Sequence, residues 1–334
     1  MERKNTYIKY RHCEDAGRSN LNIWKIASSR KKPGLAMTSL LCLVLLLSVL
    51  FSSCLRLDSN LYNPSTDIKE YQLDHYSGEQ DFILDASYSI PDSLIHQFSL
   101  FSQAPGESKA TIIRAIYIGS IAGIQSDTVI MYCHGNKDHM DFYWQRAKLL
   151  AHVSGKNRYG VMMIDYRGFG LSEGKASEEG LYADVDAALQ WLKLNGLSGS
   201  RLMMYGFSMG TAPVCELTNK PRSLSPAKFI LEAPFASADV MANDGSGLNM
   251  PGSFFTNLKI DNAEEVKTIQ QPFCWLHGSA DNFLNIETHG EVVYKNYGGS
   301  YQEAHRVADA DHGEVPEKMG FSNYLNIVST FIRK

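Results

Sequence analysis

From about residue 110 onward, short and almost continuous apolar runs alternate with longer segments that have helical spacing. The runs within 127–135 and 159–170 are two examples. Apolar runs of this length are typical of strands that are buried on both faces of a sheet. Because helical segments separate them, the pattern predicts an α/β fold in which a mostly parallel central sheet is covered by helices on both faces.

The clearest predicted helix begins at Ser177, a residue type that caps helix N-termini. Its apolar residues recur on one face of the helical period, at Leu181, Val185, Ala188 and Leu192. The same reasoning predicts helices over 140–153, 177–195, 209–217, 262–270 and 286–297 and after Pro316. It predicts strands within 110–120, 127–135, 159–170, 200–208, 227–234, 272–278 and 303–311.

The beginning of the chain has a different pattern, in which a basic cluster precedes an apolar stretch. Arg30, Lys31 and Lys32 are followed by an uncharged run whose most apolar part is 40–51. That part is short for a membrane span, which needs about 20 residues, and it suits the h-region of a signal peptide. We therefore expect 1–53 to be a signal or targeting segment.

The end of this apolar run has small residues in front of a cysteine, with Ser52 and Ser53 directly before Cys54. This junction resembles the lipobox of bacterial lipoproteins. The resemblance implies that Cys54 is lipidated and anchors the protein to a membrane of the bacterial cell envelope, on the periplasmic or surface face. An uncleaved transmembrane anchor is the alternative, since the uncharged run is almost long enough to span a membrane. The weak, polar pattern of 54–105 then predicts a tether and an N-terminal extension in front of a domain at 106–334.

Charge is unevenly divided along the chain. Residues 1–53 carry nine Lys/Arg and three Asp/Glu, whereas the remainder carries 23 Lys/Arg and 33 Asp/Glu. The predicted domain is therefore acidic, although the formal net charge of the whole chain is only -4. A nucleic-acid-binding surface needs basic residues that replace counterions, so we do not expect nucleic acid as a partner.

No residue spacing points to a metal or a cofactor. Cys133, Cys215 and Cys274 lie in apolar contexts and are expected to be buried thiols, not disulfides. The stretch 134–141 holds two histidines and two aspartates, but their spacing matches no recognised metal site. We therefore predict neither a metal nor a cofactor.

Five turns that follow predicted strands carry polar residues and glycines. In a parallel sheet, binding and chemistry gather at the carboxyl ends of the strands, so these turns are expected to meet at one edge. They are His134–Asn136, Asp165–Gly170, Gly206–Gly210, His277–Asp281 and Asp309–Gly313.

The turn sequence GFSMG, at 206–210, has the pattern G-x-S-x-G between a predicted strand and a predicted helix. With it, the chain from about 110 to 334 resembles the α/β-hydrolases, and most closely the small-cap bacterial esterase-like and peptidase-like serine hydrolases. The order Ser208, Asp281, His312 also fits that family.

The resemblance implies a role for each of these residues. Ser208 would be the nucleophile, His312 the general base, and Asp281 the acid that orients the imidazole. The backbone N–H groups of Asn136 and Met209 would form the oxyanion hole. The turn 165–170 is expected to be a structural corner without a chemical role.

Several residues compete for the acid and the base. Glu232 follows the strand within 227–234, and Asp309 and Asp311 stand beside His312. Asp281 is preferred because its turn matches the family pattern. His312 is preferred over the two other histidines that follow Asp281, which fall inside a predicted helix (His289) and in mid-strand (His305).

The cap that this fold inserts between strands is short here, at about 235–271. A short cap predicts an open site and an acyl or peptidyl substrate of modest size. The candidate lining residues, each of which could equally belong to the core, are Met241, Met250, Phe254 and Phe255. We therefore predict a serine hydrolase that cleaves an ester, thioester or amide through an acyl-enzyme. The alternative is a catalytically inactive lipoprotein of the same fold that serves as a binding or scaffold protein, and a non-hydrolytic enzyme on this fold is a weaker third possibility.

Overall fold

The computed structural model describes residues 58, 61–246 and 252–334. The predicted signal segment 1–53, the lipidation site Cys54 and the pocket candidate Met250 lie outside these residues. Among the helices of the described part, none has both the length and the apolar character needed to cross a membrane.

Eight strands of the described chain form one central sheet. They are β1 (Ile95–Ser102), β2 (Thr111–Ile118), β3 (Val129–Cys133), β4 (Gly160–Asp165), β5 (Leu202–Phe207), β6 (Lys228–Glu232), β7 (Phe273–Gly278) and β8 (Gln302–Val307). Their spatial order is β8-β7-β6-β5-β3-β4-β2-β1. The strands from β3 to β8 are parallel, whereas β2 runs antiparallel to β4 and β1 antiparallel to β2. The predicted mostly parallel sheet is confirmed.

Helices connect the strands and cover the sheet. They are α1 (Met140–Ala151), α2 (Glu178–Leu194), α3 (Thr211–Asn219), α4 (Ala238–Ser246), α5 (Asn262–Glu265), α6 (Gly290–Asn296), α7 (Val315–Met319) and α8 (Phe321–Arg333).

Both faces of the sheet are covered, which explains why apolar and polar residues do not alternate along the central strands. Every residue of β3, β4 and β5 is buried. One apolar cluster joins the sheet to α2 and α3, and a second joins the opposite face to α1 and α8. The four apolar residues that define the predicted face of α2 are all buried in the first cluster, and Ser177 accepts a hydrogen bond from the backbone N–H of Gly180. That helix and its cap are confirmed.

The segment 54–105, expected to be a tether and an extension, contributes to the sheet itself. Its strand β1 forms the edge of the sheet, where only one face packs on the core. Residues 61–94, which we call the N-terminal segment, insert Leu73, Phe82, Leu84 and Ile90 into the cluster around α1 and α8. Asn63–Pro64 also pairs in parallel with Lys137–Asp138, beside the turn that follows β3.

The cap contains less helix than predicted at its end. A helix was expected from Asn262 onward through about residue 270, but α5 covers only four residues. Asp261 caps α5 by accepting a hydrogen bond from the backbone N–H of Glu264. The helix expected over 286–297 likewise begins only at Gly290.

Candidate active site

Ser208 occupies a sharp turn between β5 and α3. Its φ of 53° lies in the left-handed region, which is unfavourable for residues with a side chain. A Cβ at Gly206 would lie 2.6 Å from the carbonyl oxygen of Gly210, and a Cβ at Gly210 would collide with the carbonyl oxygen of Cys133. The two glycines are therefore needed because the turn is pressed against neighbouring backbone.

His312 lies in the loop between β8 and α7 and bridges two other side chains. Its Nε2 is 2.9 Å from Ser208 Oγ, and its Nδ1 is 2.8 Å from Asp281 Oδ2. The structure thus brings together an alcohol, an imidazole and a carboxylate that are far apart in sequence. The hydroxyl and the carboxylate lie on opposite nitrogens of the same ring, which is the arrangement that a Ser-His-Asp triad requires.

Asp281 is buried and is held by hydrogen bonds to both carboxylate oxygens. The backbone N–H groups of Phe283 and Leu284 donate to Oδ1 at 2.9 and 2.7 Å. Oδ2 accepts from His312 and also lies 3.1 Å from His277 Nε2. Burial acts to raise the pKa of Asp281, but the hydrogen bonds from His277 and His312 outweigh it and hold the pKa below its usual range.

The hydrogen-bond network also fixes the tautomers of the two histidines. Trp275 Nε1–H can only donate, and it lies 3.3 Å from His277 Nδ1. His277 therefore carries its proton on Nε2 and donates toward Asp281 and the carbonyl of Leu284. A carboxylate can only accept, so His312 carries a proton on Nδ1, and its Nε2 is left to accept from Ser208.

The rival acids have other partners. Glu232 is fully buried, and its Oε1 accepts from Arg146 Nη1 at 2.6 Å. Its other oxygen accepts from the hydroxyl of Tyr205. Asp311 accepts from the backbone N–H groups of Asn282 and His312. The position next to the His312 ring is thus taken by Asp281.

The other two candidate histidines, His289 and His305, do not bridge Ser208 and Asp281, whose partner is His312. His289 precedes α6 instead of lying inside it, and its Nδ1 accepts from the backbone N–H of Ala236 at 3.1 Å. His305 lies within β8, as expected. Asp309, the remaining rival acid, has its backbone N–H bonded to Ser279 Oγ.

Arg146 links the His312 loop to the body of the fold, a role that the sequence did not indicate. Its Nη2 donates to the carbonyl oxygen of Gly313 at 3.0 Å and to Asp81 Oδ2 at 2.9 Å. Its guanidinium also lies over the ring of Phe207, 4.3 Å from the ring centre. One buried cation therefore joins Glu232, the N-terminal segment and the residue after His312.

The turn after β3 is tied down from both sides. The carbonyl of Asn136 accepts from the backbone N–H of Asn63 at 2.9 Å, and the ring of His134 stacks on Tyr143 with 4.6 Å between ring centres. Gly135 and Asn136 line the cavity next to Ser208. Met209 directly follows Ser208, and its side chain is buried in the core.

The corner at 165–170 is structural in its contacts, as expected. Arg167 makes a buried ion pair with Asp184, with 2.8 Å between Nη2 and Oδ1. Asp165 accepts from the hydroxyl of Tyr71 at 2.6 Å. These bonds join the corner to α2 and to the N-terminal segment.

Ser208 and His312 open into a cavity of about 570 Å³. Of the cap residues expected to line it, Met241, Phe254 and Phe255 do not; Phe255 is buried in the core and Phe254 is exposed. The N-terminal segment takes their place. The lining residues are Tyr62, Asn63, Asp81, Gly135, Asn136, Lys137, Phe142, Tyr143, Phe207, Ser208, Phe283 and His312.

In the described part of the chain, one group of side chains has the donor types of a metal site. Ligand atoms of Cys274, Glu303 and His305 lie within 4.8 Å of one another. Glu303 is already bound to Lys334 Nζ at 2.6 Å, and burial raises the pKa of the Cys274 thiol. The group lies along β7 and β8, whereas Asp281 and His312 follow the carboxyl ends of these strands.

The chain is similar in sequence to proteins of the hydrolase class. The family model described as "Serine aminopeptidase, S33" matches residues 124–271, a span that includes Ser208 and ends before Asp281. The chain is 26% identical over 204 residues to alpha/beta hydrolase domain-containing protein 17C of Mus musculus, covering 61% of this chain and 59% of the relative. It is 31% identical over 197 residues to protein ABHD12B of Homo sapiens, covering 54% of this chain and 52% of the relative. The chain thus spans between half and two thirds of the length of these relatives.

Solved structures share the same architecture. An esterase from Pyrococcus furiosus, Pf2001, superposes with a TM-score of 0.58 at 16% identity, covering 81% of this chain and 98% of the esterase. A thermophilic esterase from Thermogutta terrifontis superposes with a TM-score of 0.52 at 14% identity, covering 71% of this chain and 98% of the other. The sheet order, the family model and these superpositions together show that the chain has the α/β-hydrolase fold.

Proposed function

We propose that this protein is a serine hydrolase that cleaves a carboxylic ester, thioester or amide through an acyl-enzyme. The observation that carries the proposal is the continuous hydrogen-bonded path from Ser208 through His312 to Asp281. The path opens into a cavity large enough for a substrate, since small-molecule sites typically have volumes of about 300–1,000 Å³.

The chemistry follows from the tautomer of His312. The Nε2 lone pair accepts the proton of Ser208 as Oγ attacks the substrate carbonyl carbon and forms the new C–O bond. The imidazolium then returns the proton to the leaving oxygen, sulfur or nitrogen as its bond to carbon breaks. Water repeats the sequence on the acyl-enzyme and releases the acid. Asp281 stabilises the imidazolium and keeps Nδ1 protonated throughout.

Two backbone N–H groups are assigned to the negative charge that develops on the carbonyl oxygen. One belongs to Met209, which follows the nucleophile at the start of the helical turn. The other belongs to Asn136, in the turn that lines the cavity beside Ser208. Preorganised donors of this kind contribute through position, so their side chains are not decisive.

The substrate proposed here is a small acyl or peptidyl compound. The esterases with the same fold favour an ester, and the name of the matched family model favours a peptide amide. Aromatic side chains at Phe142, Tyr143 and Phe207 line the cavity and favour an apolar group next to the scissile bond.

The test is covalent labelling with a fluorophosphonate probe, which reacts with activated serines. Native protein should label at Ser208, and Ser208→Ala should abolish labelling. Ser200→Ala is the matched control because Ser200 is exposed and its hydroxyl hydrogen-bonds to that of Ser198. Hydrolysis of p-nitrophenyl esters, compared with that of aminoacyl amides, then identifies the bond. Folded protein that does not label would instead favour the alternative of an inactive binding or scaffold protein.

We also propose that the chain is a lipoprotein of the bacterial cell envelope, anchored through Cys54. The support is the sequence junction at 52–54. Mass spectrometry of the N-terminus from a membrane fraction should find a diacylated Cys54 as the first residue. Release of the protein by salt alone, with an unmodified N-terminus, would contradict this proposal.

A further inference from the structure

Tyr62, in the N-terminal segment, stands between two cavities. It lines the cavity that contains Ser208. It also lines a second cavity of about 540 Å³, whose lining is mainly apolar and includes Ala176 and Leu258. Within the described part of the chain, Tyr62 is the one residue that lines both cavities. Tyr62 is therefore the residue at which the linings of the two cavities meet.

The backbone on the C-terminal side of Tyr62 is fixed independently of its side chain. The backbone N–H of Asn63 donates to the carbonyl of Asn136 at 2.9 Å, and that of Ser65 donates to the carbonyl of Asp138 at 3.1 Å. The carbonyl of Ser65 accepts from the backbone N–H of Gly170 at 2.9 Å. A change of the Tyr62 side chain can therefore alter the linings of both cavities without removing the bonds that hold the segment.

The Tyr62 side chain itself has no polar anchor. Its hydroxyl is buried and forms no hydrogen bond within the described residues, and its ring packs against the apolar cluster around α2 and α3. Burial, together with the nearby carboxylates Glu178 and Asp58, raises the pKa of the phenol and keeps it neutral. A buried hydroxyl without a partner does not stabilise the fold. The contribution of Tyr62 at this position therefore comes from its ring, which packs against the apolar cluster.

Building on the proposed hydrolase function, we infer that Tyr62 is a specificity-determining residue that limits the length of the acyl chain. The chain of an acyl-Ser208 intermediate would extend along the aromatic lining and stop at the Tyr62 ring. The second cavity lies behind that ring and would take a longer chain if the ring were absent. The preferred substrates of the native protein are therefore esters or thioesters of short acyl chains.

The test compares kcat/KM for p-nitrophenyl butyrate, octanoate and palmitate between the native full-length protein and its variants. Tyr62→Ala should raise the ratio of octanoate to butyrate, and of palmitate to butyrate, by at least about tenfold, the effect of one or more methylenes gaining an apolar pocket. Tyr62→Phe keeps the ring and should match the native ratio. In the Tyr62→Ala background, Ala176→Leu refills the second cavity and should return the ratio toward the native value.

The outcomes separate this inference from the function on which it rests. If Ser208 labels with fluorophosphonate and Tyr62→Ala leaves the chain-length ratios unchanged, the specificity role is wrong and the hydrolase stands. If native protein neither labels nor cleaves any ester, both are wrong. Tyr62→Leu, which keeps more apolar packing, provides the same comparison should Tyr62→Ala fail to fold, and an unchanged ratio for it would equally overturn the inference.

Discussion

Asp281 Oδ2 and His312 Nδ1 lie 2.8 Å apart. The same carboxylate accepts from His277 and from two backbone N–H groups, so its position does not depend on His312. The imidazole is consequently held by a group that the rest of the fold has already fixed. Asp281 differs from Glu232 and Asp311 in contacting the His312 ring, since Glu232 bonds to Arg146 and Asp311 accepts from backbone N–H groups.

We expect Asp281→Asn to reduce kcat for p-nitrophenyl acetate by about 10⁴-fold, as loss of the orienting carboxylate does in other Ser-His-Asp enzymes. An amide N–H facing Nδ1 favours the tautomer with the proton on Nε2, and that nitrogen can then no longer accept from Ser208. The rate of fluorophosphonate labelling should fall in parallel. A kcat within tenfold of the native value would show that another acid orients His312.

Glu232→Gln should act mainly on stability. The substitution removes the carboxylate charge that faces Arg146, whose guanidinium is buried beside it. Breaking a buried ion pair from one side typically costs about 3–5 kcal/mol, and urea denaturation would measure the loss. The folded fraction should still label at Ser208.

Glu264→Gln serves as the control for the Glu232 variant. Glu264 pairs with Lys267 at the surface, where ion pairs contribute little to stability, so this variant should unfold at nearly the native urea concentration. If the two variants were equally stable, the ion pair between Glu232 and Arg146 would not contribute to the free energy of unfolding as proposed.

Gly210→Ala should destabilise the fold by at least about 2 kcal/mol, within the range found for overpacked cores. The added methyl would meet the backbone carbonyls of Cys133 and His134, which belong to the neighbouring strand end and cannot rotate away. Thermal unfolding monitored by circular dichroism measures the change.

Gly245→Ala is the matched control for the Gly210 variant, because a methyl group there meets no atom within 4 Å. Gly245 lies in α4, where alanine is favoured over glycine by up to about 1 kcal/mol. Its melting temperature should therefore stay the same or rise. Equal losses in the two variants would mean that the contact at the Ser208 turn is not what makes glycine necessary.

The sequence was informative about the site where periodicity and strand-end turns carried the signal. Ser208 and Asp281 each follow an apolar run, His312 follows a predicted strand, and parallel strands present their carboxyl ends at one edge. Their proximity is therefore predictable from the sequence. Asp281 and Glu232 are harder to distinguish from the sequence, because both lie at the carboxyl ends of neighbouring strands and only the surrounding hydrogen-bond donors separate them.

The parts that the sequence did not reveal lack a repeating pattern. The N-terminal segment contacts the fold through single inserted side chains and backbone hydrogen bonds, such as that from Asn63 to Asn136. Helix α1 is buried along its whole length, including its charged residues. The sequence alone does not distinguish Arg146 from an arginine on the surface. His277 precedes Asp281 by four residues. Only the folded structure shows that its imidazole donates to that carboxylate.

His289 predicts how stability changes with pH. Burial lowers the pKa of His289 from 6.5 to about 4, opposed in part by Asp244, whose carboxylate lies 3.3 Å from Nε2. The other titratable groups that face it are His277, Asp281 and His312. Because the folded-state pKa is lower than the unfolded one, the unfolded chain binds more protons between pH 4 and 6.5. Stability from this group is therefore complete above pH 6.5 and is lost as the pH falls toward 4.

Urea denaturation across this pH range should show a fall in the free energy of unfolding on the order of 2–3 kcal/mol from His289. Glutamine in His289→Gln cannot gain a proton, so the free energy of unfolding of this variant should fall by that much less over the same pH range. The difference between the two curves of free energy against pH isolates the contribution of the imidazole. Asp244→Asn removes the carboxylate that opposes the shift, so an NMR titration should find a still lower pKa for His289. Parallel curves for the native protein and His289→Gln would mean that the buried imidazole gains its proton as easily in the folded state as in the unfolded one.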